Sequence, residues 1–270
     1  GPGIREVSVR GVALDRKLGS QLAECTDCAW LQLTGCAAID EEAVGEATAR
    51  MPLQSVSLDG TVDAMLSGVA AVGLASCPLL RRLDVGGTPL AEGAADAMLE
   101  RCPETLQALR VQFSDVGSSA VAGLCSRATA LTSLHLEGSK RLGALPLALP
   151  PCLSSLELRG CTCIDEETLA AGVTAMLAAG AARHLGLAET GVSDGMLRQW
   201  AVVAPAAAFE AEPPAAAAAA AAGGSRSANG PASKGPCFAV AALQSLDLSW
   251  NERVSPAALV AFLGRAPGLR

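Results

Sequence analysis

A short apolar pattern recurs along this chain of 270 residues and constrains its fold more than any other feature. The pattern is apolar-x-x-apolar-x-apolar, and the alternation at its end predicts a short, half-buried strand. Its nine copies begin at Ile4, Cys28, Leu53, Leu80, Leu106, Leu131, Leu153, Ala182 and Leu243. Repeats of about 20 to 50 residues are typical of arrays in which each unit buries its apolar face against the next one.

The eighth and ninth positions of each unit support this register. Glycine occupies the eighth position in six of the nine units. The ninth position carries a small side chain that can form hydrogen bonds in every unit except the first, which has Val12. We expect the chain to turn off the strand here, and a buried polar side chain to satisfy backbone groups of the turn. This predicted structural ladder consists of Cys36, Thr61, Thr88, Ser114, Ser139, Cys161, Thr190 and Asn251.

The second half of most units has the features of a helix. Asp165 is predicted to cap a helix whose apolar residues Leu169, Val173 and Leu177 fall at helical spacing. Further predicted N-caps are Asp40, Ser193 and Ser255. The predicted buried stripe of the last helix is Leu259, Phe262 and Leu263.

Two segments depart from the repeat. The unit that begins at Leu131 has a proline-rich second half, so we expect an irregular loop there in place of a helix. Residues 207–238 are rich in Ala, Gly, Pro and Ser and predict a disordered insert. A docking or phosphorylation segment around Ser225 and Ser227 is the alternative for this insert.

The repeat also sets the domain organisation. Residues 1–206 hold units one to eight, and residues 239–270 hold unit nine and the start of a further unit. Both ends are in phase with the repeat and lack the polar caps that solenoids normally carry. We therefore expect the chain to be part of a longer array, or to have its ends covered by other parts.

Stacked strand–turn–helix units of this kind predict an α/β fold: a curved horseshoe solenoid of about nine repeats with a parallel concave sheet and convex helices. The units LQLTGCAAIDEEAV and LELRGCTCIDEETL carry a resemblance to a known family. They resemble the leucine-rich repeat of the cysteine-containing, ribonuclease-inhibitor-like type. The resemblance covers the chain outside about residues 207–238.

The resemblance implies a protein–protein interaction module that binds a partner on its concave surface. A frequent role in similar proteins is the substrate-recognition arm of a Skp1–cullin–F-box ubiquitin ligase. These residues contain no F-box-like helical module, so a link to the Skp1–cullin ligase would depend on a region outside this chain. Two alternatives stay open: a scaffold subunit of a large cytoskeletal or organellar assembly, and a regulator of a small GTPase or an enzyme.

Composition narrows the classes of function. The net charge of −7 argues against a partner nucleic acid, whose binders usually carry a basic stripe. Only two His residues are present and no phosphate-binding glycine motif appears, so we expect no enzyme activity and no cofactor. No second CxxC accompanies Cys25 and Cys28, so we expect no metal site. The ten cysteines predict reduced thiols in a cytoplasmic or nuclear protein, and no apolar stretch predicts a membrane segment.

Candidate partner-binding residues follow from their places in the repeat. One column of four successive strands contains Asp84, Arg110, His135 and Glu157. Adjacent parallel strands lie about 4.8 Å apart, so we expect these side chains to be neighbours. This column is either a polar recognition strip or a set of mixed charges that keeps the sheet soluble. The other predicted concave or rim residues are Trp30, Arg82, Phe113, His184 and Trp250. Trp200, in contrast, falls in a helix and is predicted to belong to the convex core.

Overall fold

The computed structural model describes residues 3–36, 38–60, 65–203 and 239–269. Within these ranges, nine parallel strands form one sheet in chain order, and eight α-helices follow strands along the chain. The strands are β1 (Glu6–Arg10), β2 (Trp30–Thr34), β3 (Ser55–Asp59), β4 (Arg82–Asp84), β5 (Ala108–Arg110), β6 (Ser133–His135), β7 (Ser155–Glu157), β8 (His184–Gly186) and β9 (Ser245–Asp247). The helices are α1 (Arg16–Ala23), α2 (Glu41–Arg50), α3 (Gly68–Ala75), α4 (Ala94–Arg101), α5 (Ser118–Arg127), α6 (Glu166–Ala178), α7 (Asp194–Ala201) and α8 (Pro256–Leu263). The predicted α/β repeat solenoid is thereby confirmed.

The insert interrupts the sequence but not the sheet. Strand β9 pairs directly with β8, with Leu246 opposite Leu185. The backbone amide of Gln244 donates to the carbonyl of Arg183 over 2.8 Å, which continues the hydrogen bonds between the preceding units. The chain thus returns after residue 238 in the register that it left. The expectation that residues 207–238 are disordered concerns residues outside the described part of the chain.

The core lies between the sheet and the helices. The repeated apolar positions point into it, and Leu83, Leu109, Leu134 and Leu156 are each at most 1% exposed. Trp200 of α7 is fully buried, as predicted for the convex core, and its Nε1 donates to the carbonyl of Ala170 in α6 over 3.3 Å. A core with few aromatic rings is therefore built from leucine rows that align from unit to unit.

The helix ends confirm most of the predicted caps. The carboxylates of Asp40 and Asp165 and the hydroxyl of Ser255 each accept a hydrogen bond from a backbone amide in the first turn. Ser193 departs from the prediction, because its hydroxyl donates to Glu166 Oε1 over 2.7 Å and forms no hydrogen bond with its own helix. Between β6 and β7 the described chain contains no helix, as the prolines predicted.

The predicted stripe of the last helix is only partly correct. Phe262 is buried, but Leu263 is 44% exposed and Leu259 is half-buried. Both leucines line an open groove of 740 Å³ together with Leu246, Leu248 and Leu269. The reason is that no described element packs on this side of the ninth unit, whereas every earlier helix or strand has a following unit against it.

The ladder residues within the described ranges are buried as predicted, but they do not all form hydrogen bonds. Cys161 Sγ donates to the carbonyl of Leu136 over 3.0 Å, and Thr88 Oγ1 donates to the carbonyl of Leu58 over 2.6 Å. The hydroxyls of Ser114 and Ser139 are buried and find no hydrogen-bond partner in the described part of the chain. Cys36, Thr190 and Asn251 are buried too, while Thr61 lies outside the described residues.

The cysteines of the described chain are all free thiols. Cys28 is fully buried at the first position of its unit, as the repeat predicts, and its Sγ donates to the carbonyl of Trp30 over 3.3 Å. Burial raises the pKa of Cys102 and of Cys125 to about 12, so these thiols stay protonated at neutral pH. Among the described helices, none combines the length and the hydropathy that a membrane span requires.

Candidate functional site on the concave face and rim

Four polar residues form a continuous strip across the concave sheet. The strand pairing places Asp84 opposite Arg110, Arg110 opposite His135, and His135 opposite Glu157. We call these four residues the concave strip. Their side chains stand on the face opposite the leucine core, because side chains alternate along a strand. The predicted adjacency is confirmed, and the binding role of the strip stays a prediction.

Ion pairing and hydrogen bonds order the first half of the strip. Arg110 Nη1 lies 3.8 Å from Asp84 Oδ2, and Asp84 Oδ1 accepts a hydrogen bond of 2.8 Å from the backbone amide of Gly86. Two residues after Arg110, Gln112 Nε2 donates a hydrogen bond of 2.7 Å to Glu137 Oε1. These contacts hold the charged groups in place while both Arg110 and Asp84 remain accessible to solvent.

Glu157 is held in a less favourable environment. Its side chain lies over the backbone of Gly186, where any larger residue would collide with its carboxylate. Burial, with repulsion from Glu137 and Asp247, raises the pKa of Glu157 above its ordinary value. The carboxylate therefore gains more from a hydrogen-bond donor or a cation than a fully solvated one would.

His135 lies at the centre of the strip and is half-buried. Burial, assisted by the nearby Arg110, holds its pKa below the ordinary value against the opposing effect of Glu137. Its Nε2 lies 3.4 Å from Ser155 Oγ. In this contact a neutral imidazole can donate or accept, depending on which ring nitrogen carries the proton.

Three residues of the strip, Asp84, Arg110 and His135, line a shallow concave cavity of 280 Å³, and Glu157 follows on the next strand. Small residues, among them Ser55, Ala108 and Ser133, alternate with the charged residues in its lining, and Arg82 borders it as well. Small side chains on a strand leave room above the sheet, so an extended segment of a partner can approach the backbone there. Arg82 is exposed, as predicted for the concave face.

Two further predicted residues lie in the same column as Arg82 but outside the cavity lining, Trp30 directly beside the lining residue Ser55 and His184 two strands from the lining residue Ser133. Trp30, in β2, is 53% exposed, and His184, in β8, is exposed as well. Several strands separate them in the sheet order. The structure thus brings Arg82, Asp84, Arg110 and His135 together in one cavity lining, but places Trp30 and His184 towards opposite ends of the face.

The two remaining aromatic residues lie on the rim, at the eighth position of their units. All nine residues at this position have a positive φ, including the non-glycine residues Phe113 (51°), Glu189 (56°) and Trp250 (61°). Bulky residues rarely adopt this conformation, which explains why six units carry glycine. The rings of Phe113 and Trp250 are nevertheless 77% exposed. The ring of Phe113 lies against Gly138, where an added Cβ would meet Phe113 Cδ1 at 2.5 Å.

A second cavity on the rim was not predicted from the sequence. We call it the rim cavity; its volume is 380 Å³ and its lining is Thr162, Glu189, Gly191, Trp250, Asn251, Glu252 and Arg253. The repeat register did contain a signal for it, since Glu189 is the one acidic residue at the eighth position. The 61-residue gap hid the contact, because it separates Glu189 from Trp250 in the sequence although their units are adjacent.

Among the described residues, no three His, Cys, Asp or Glu side chains converge as the ligands of a metal ion would. The arrangement on the concave face and rim is one of separate hydrogen-bonding, charged and aromatic groups on a rigid frame. The chain matches no protein-family model and no curated protein sequence.

Proposed function

We propose that this chain is a protein-interaction module that binds an extended segment of a protein partner along the concave strip. The observation that carries the proposal is the alignment of Asp84, Arg110, His135 and Glu157 on neighbouring strands beside an open cavity. Both signs of charge and a neutral imidazole lie within one row, which suits the mixed polar surface of a protein better than a phosphate backbone.

Rigidity supports this function. The strands that carry the strip, β4 to β7, each pair with a strand on both sides, and Asp84 and Arg110 are held further by their own contacts. A surface that is ordered before binding loses little conformational freedom in the complex, so modest contacts suffice for affinity. The proposal assigns the chain no catalytic step and no cofactor.

The finer assignments made from the sequence belong to the same proposal. We take the solenoid to be a leucine-rich repeat of the ribonuclease-inhibitor-like type, on the strength of the two units that carry Cys36 and Cys161 at the ladder position. Service as the substrate-recognition arm of an F-box ubiquitin ligase stays a prediction that rests on that resemblance, and a cytoplasmic or nuclear location stays a prediction that rests on the cysteine content. The concave strip itself does not favour a ligase substrate over any other protein partner.

Quantitative affinity purification of the protein from its native cells tests the proposal. The variant R110A/H135A/E157A removes three groups of the strip, all on the solvent side of the sheet, and should fold normally. We expect it to lose most of the proteins that co-purify specifically with the unmodified chain. The matched control E100A/R101A/E104A removes three exposed charged residues on and just after α4, on the opposite side. It should retain them.

Two results would contradict the proposal. One is equal recovery of every specific partner by the strip variant and the unmodified chain. The other is loss of the partners by the α4 control alone, which would move the binding surface to the convex side. Circular dichroism melting curves of both variants show whether a loss arises from binding or from folding.

A further inference from the structure

We propose that the rim cavity beside Trp250 binds a cationic side chain, a lysine or an arginine, presented by a protein partner. The cavity shares no lining residue with the cavity beside the concave strip. The inference rests on the proposed function only for the source of the cation, which is a protein. It adds a second, chemically specific contact at the rim.

The cavity carries two carboxylates that the described part of the chain leaves without an ion pair. Among the described residues, neither the Glu189 nor the Glu252 carboxylate takes part in an ion pair or a side-chain hydrogen bond. Arg253 is the cation of the lining, but its Nη1 lies 2.7 Å from Glu166 Oε2, outside the cavity. A cationic ligand is therefore favoured over a neutral or an anionic one.

The indole of Trp250 supplies the second element of a cation site. The electron-rich face of tryptophan attracts ammonium and guanidinium groups more strongly than other rings do. Trp250 holds a backbone conformation that six units give to glycine, and its ring stays 77% exposed. Burial among the described residues therefore does not explain a tryptophan at this place, and strained residues of this kind are frequent at binding sites.

Backbone pairing fixes the ring and one carboxylate side by side. Glu189 and Trp250 occupy the same position in adjacent units, and the amide of Glu189 donates to the carbonyl of Ser249 over 3.0 Å. Both residues have a positive φ, so both side chains leave the turn in the same direction. Asn251 locks this pair of turns, because its Oδ1 accepts hydrogen bonds from the amides of Thr190 and Val192.

Isothermal titration calorimetry of the purified chain with short peptides tests the cavity. The probes are hexalysine and hexaarginine, and hexacitrulline is the neutral peptide of matching shape. We expect both charged peptides to bind at low salt, and hexacitrulline not to bind. W250G and E189Q/E252Q should each raise the dissociation constant about threefold or more. Glycine is the usual residue of this column, so W250G should fold at least as well as the unmodified chain.

Two control variants separate the cavity from general attraction to an acidic protein. F113G removes the other rim ring, and E100Q/E104Q removes two exposed charges outside the cavity. Both should leave the dissociation constant unchanged. Equal weakening by E100Q/E104Q and E189Q/E252Q, undiminished binding by W250G, or no binding of either charged peptide would overturn the proposal. None of these results bears on the proposed binding along the concave strip. If partner recovery in the affinity purification depends on the strip but not on Trp250, only the proposal for the rim cavity is contradicted.

Discussion

At the residue scale, the ninth position shows how one buried side chain joins two units. Asn251 Nδ2 donates to the carbonyls of Leu187 and Leu248 over 2.7 and 3.0 Å, while its Oδ1 accepts from two amides of the preceding unit. Ser139, at the same position in another unit, is also buried, but its hydroxyl has no hydrogen-bond partner among the described residues. Two buried side chains at the same repeat position therefore differ in how much they contribute to the free energy of unfolding.

This difference predicts unequal effects of two similar truncations. Asn251→Ala should lower the free energy of unfolding by about 3 kcal/mol, because several buried backbone groups lose their partner. Ser139→Ala should change it by less than about 1 kcal/mol, since the hydroxyl that it removes is unpaired. Urea denaturation of both variants measures the two values. Equal losses would show that the ladder acts through packing and not through hydrogen bonds.

At the scale of the element, the strands owe their stability to strict alternation. In β6, Leu134 is fully buried in the core, whereas the next residue, His135, stands on the concave face. A change of one residue in register would exchange these two environments along every strand. The short strands of three residues are thus fixed by the leucine rows behind them.

Two aspartate substitutions in β6 test this register. Leu134→Asp should bury an unpaired charge and destabilise the protein by more than about 4 kcal/mol, which is enough to unfold the array around it. Ser133→Asp, one residue earlier and also on the concave face, should leave the melting temperature close to that of the unmodified chain, because its strand partners Ala108 and Ser155 carry no charge. Thermal melts followed by circular dichroism compare the two. A stable Leu134→Asp protein would contradict the assignment of the core face.

The elements also show what the sequence could predict. The spacing of the leucines placed every strand, and the prolines after Leu131 correctly predicted a unit without a helix. Residue type alone did not reveal that Ser193 donates to Glu166 in the preceding helix, because such a contact depends on how two units are stacked. The rim cavity escaped for the same reason, since Glu189 and Trp250 meet only across the insert.

At the scale of the whole molecule, stacking brings like charges together from different units. Glu137, Glu157 and Asp247 belong to three different units. Burial is the main cause of the raised pKa of Glu157, and repulsion from Glu137 and Asp247 raises it further. A carboxyl whose pKa is raised on folding favours the native state when it is protonated. That contribution is lost as the pH rises from the unfolded-state pKa through the raised folded-state pKa.

Glu157→Gln should remove this pH-dependent penalty. At pH 7 the variant should be more stable than the unmodified chain, and its advantage should shrink as the pH falls towards the ordinary pKa of glutamate, about 4.3. Melting temperatures measured across this range provide the test, with Glu104→Gln as an exposed control. An advantage that stays constant with pH would mean that the charge of Glu157 carries no cost in the fold.

Site-specific photo-crosslinking in cells tests most directly whether the concave face is the binding surface. A photoreactive amino acid replaces Ser133, in the lining of the concave cavity, in one protein and Arg101, at the end of α4, in another. We predict that the Ser133 position forms a discrete covalent adduct with a protein partner and that the Arg101 position does not. An adduct formed from Arg101 alone would contradict binding along the concave strip.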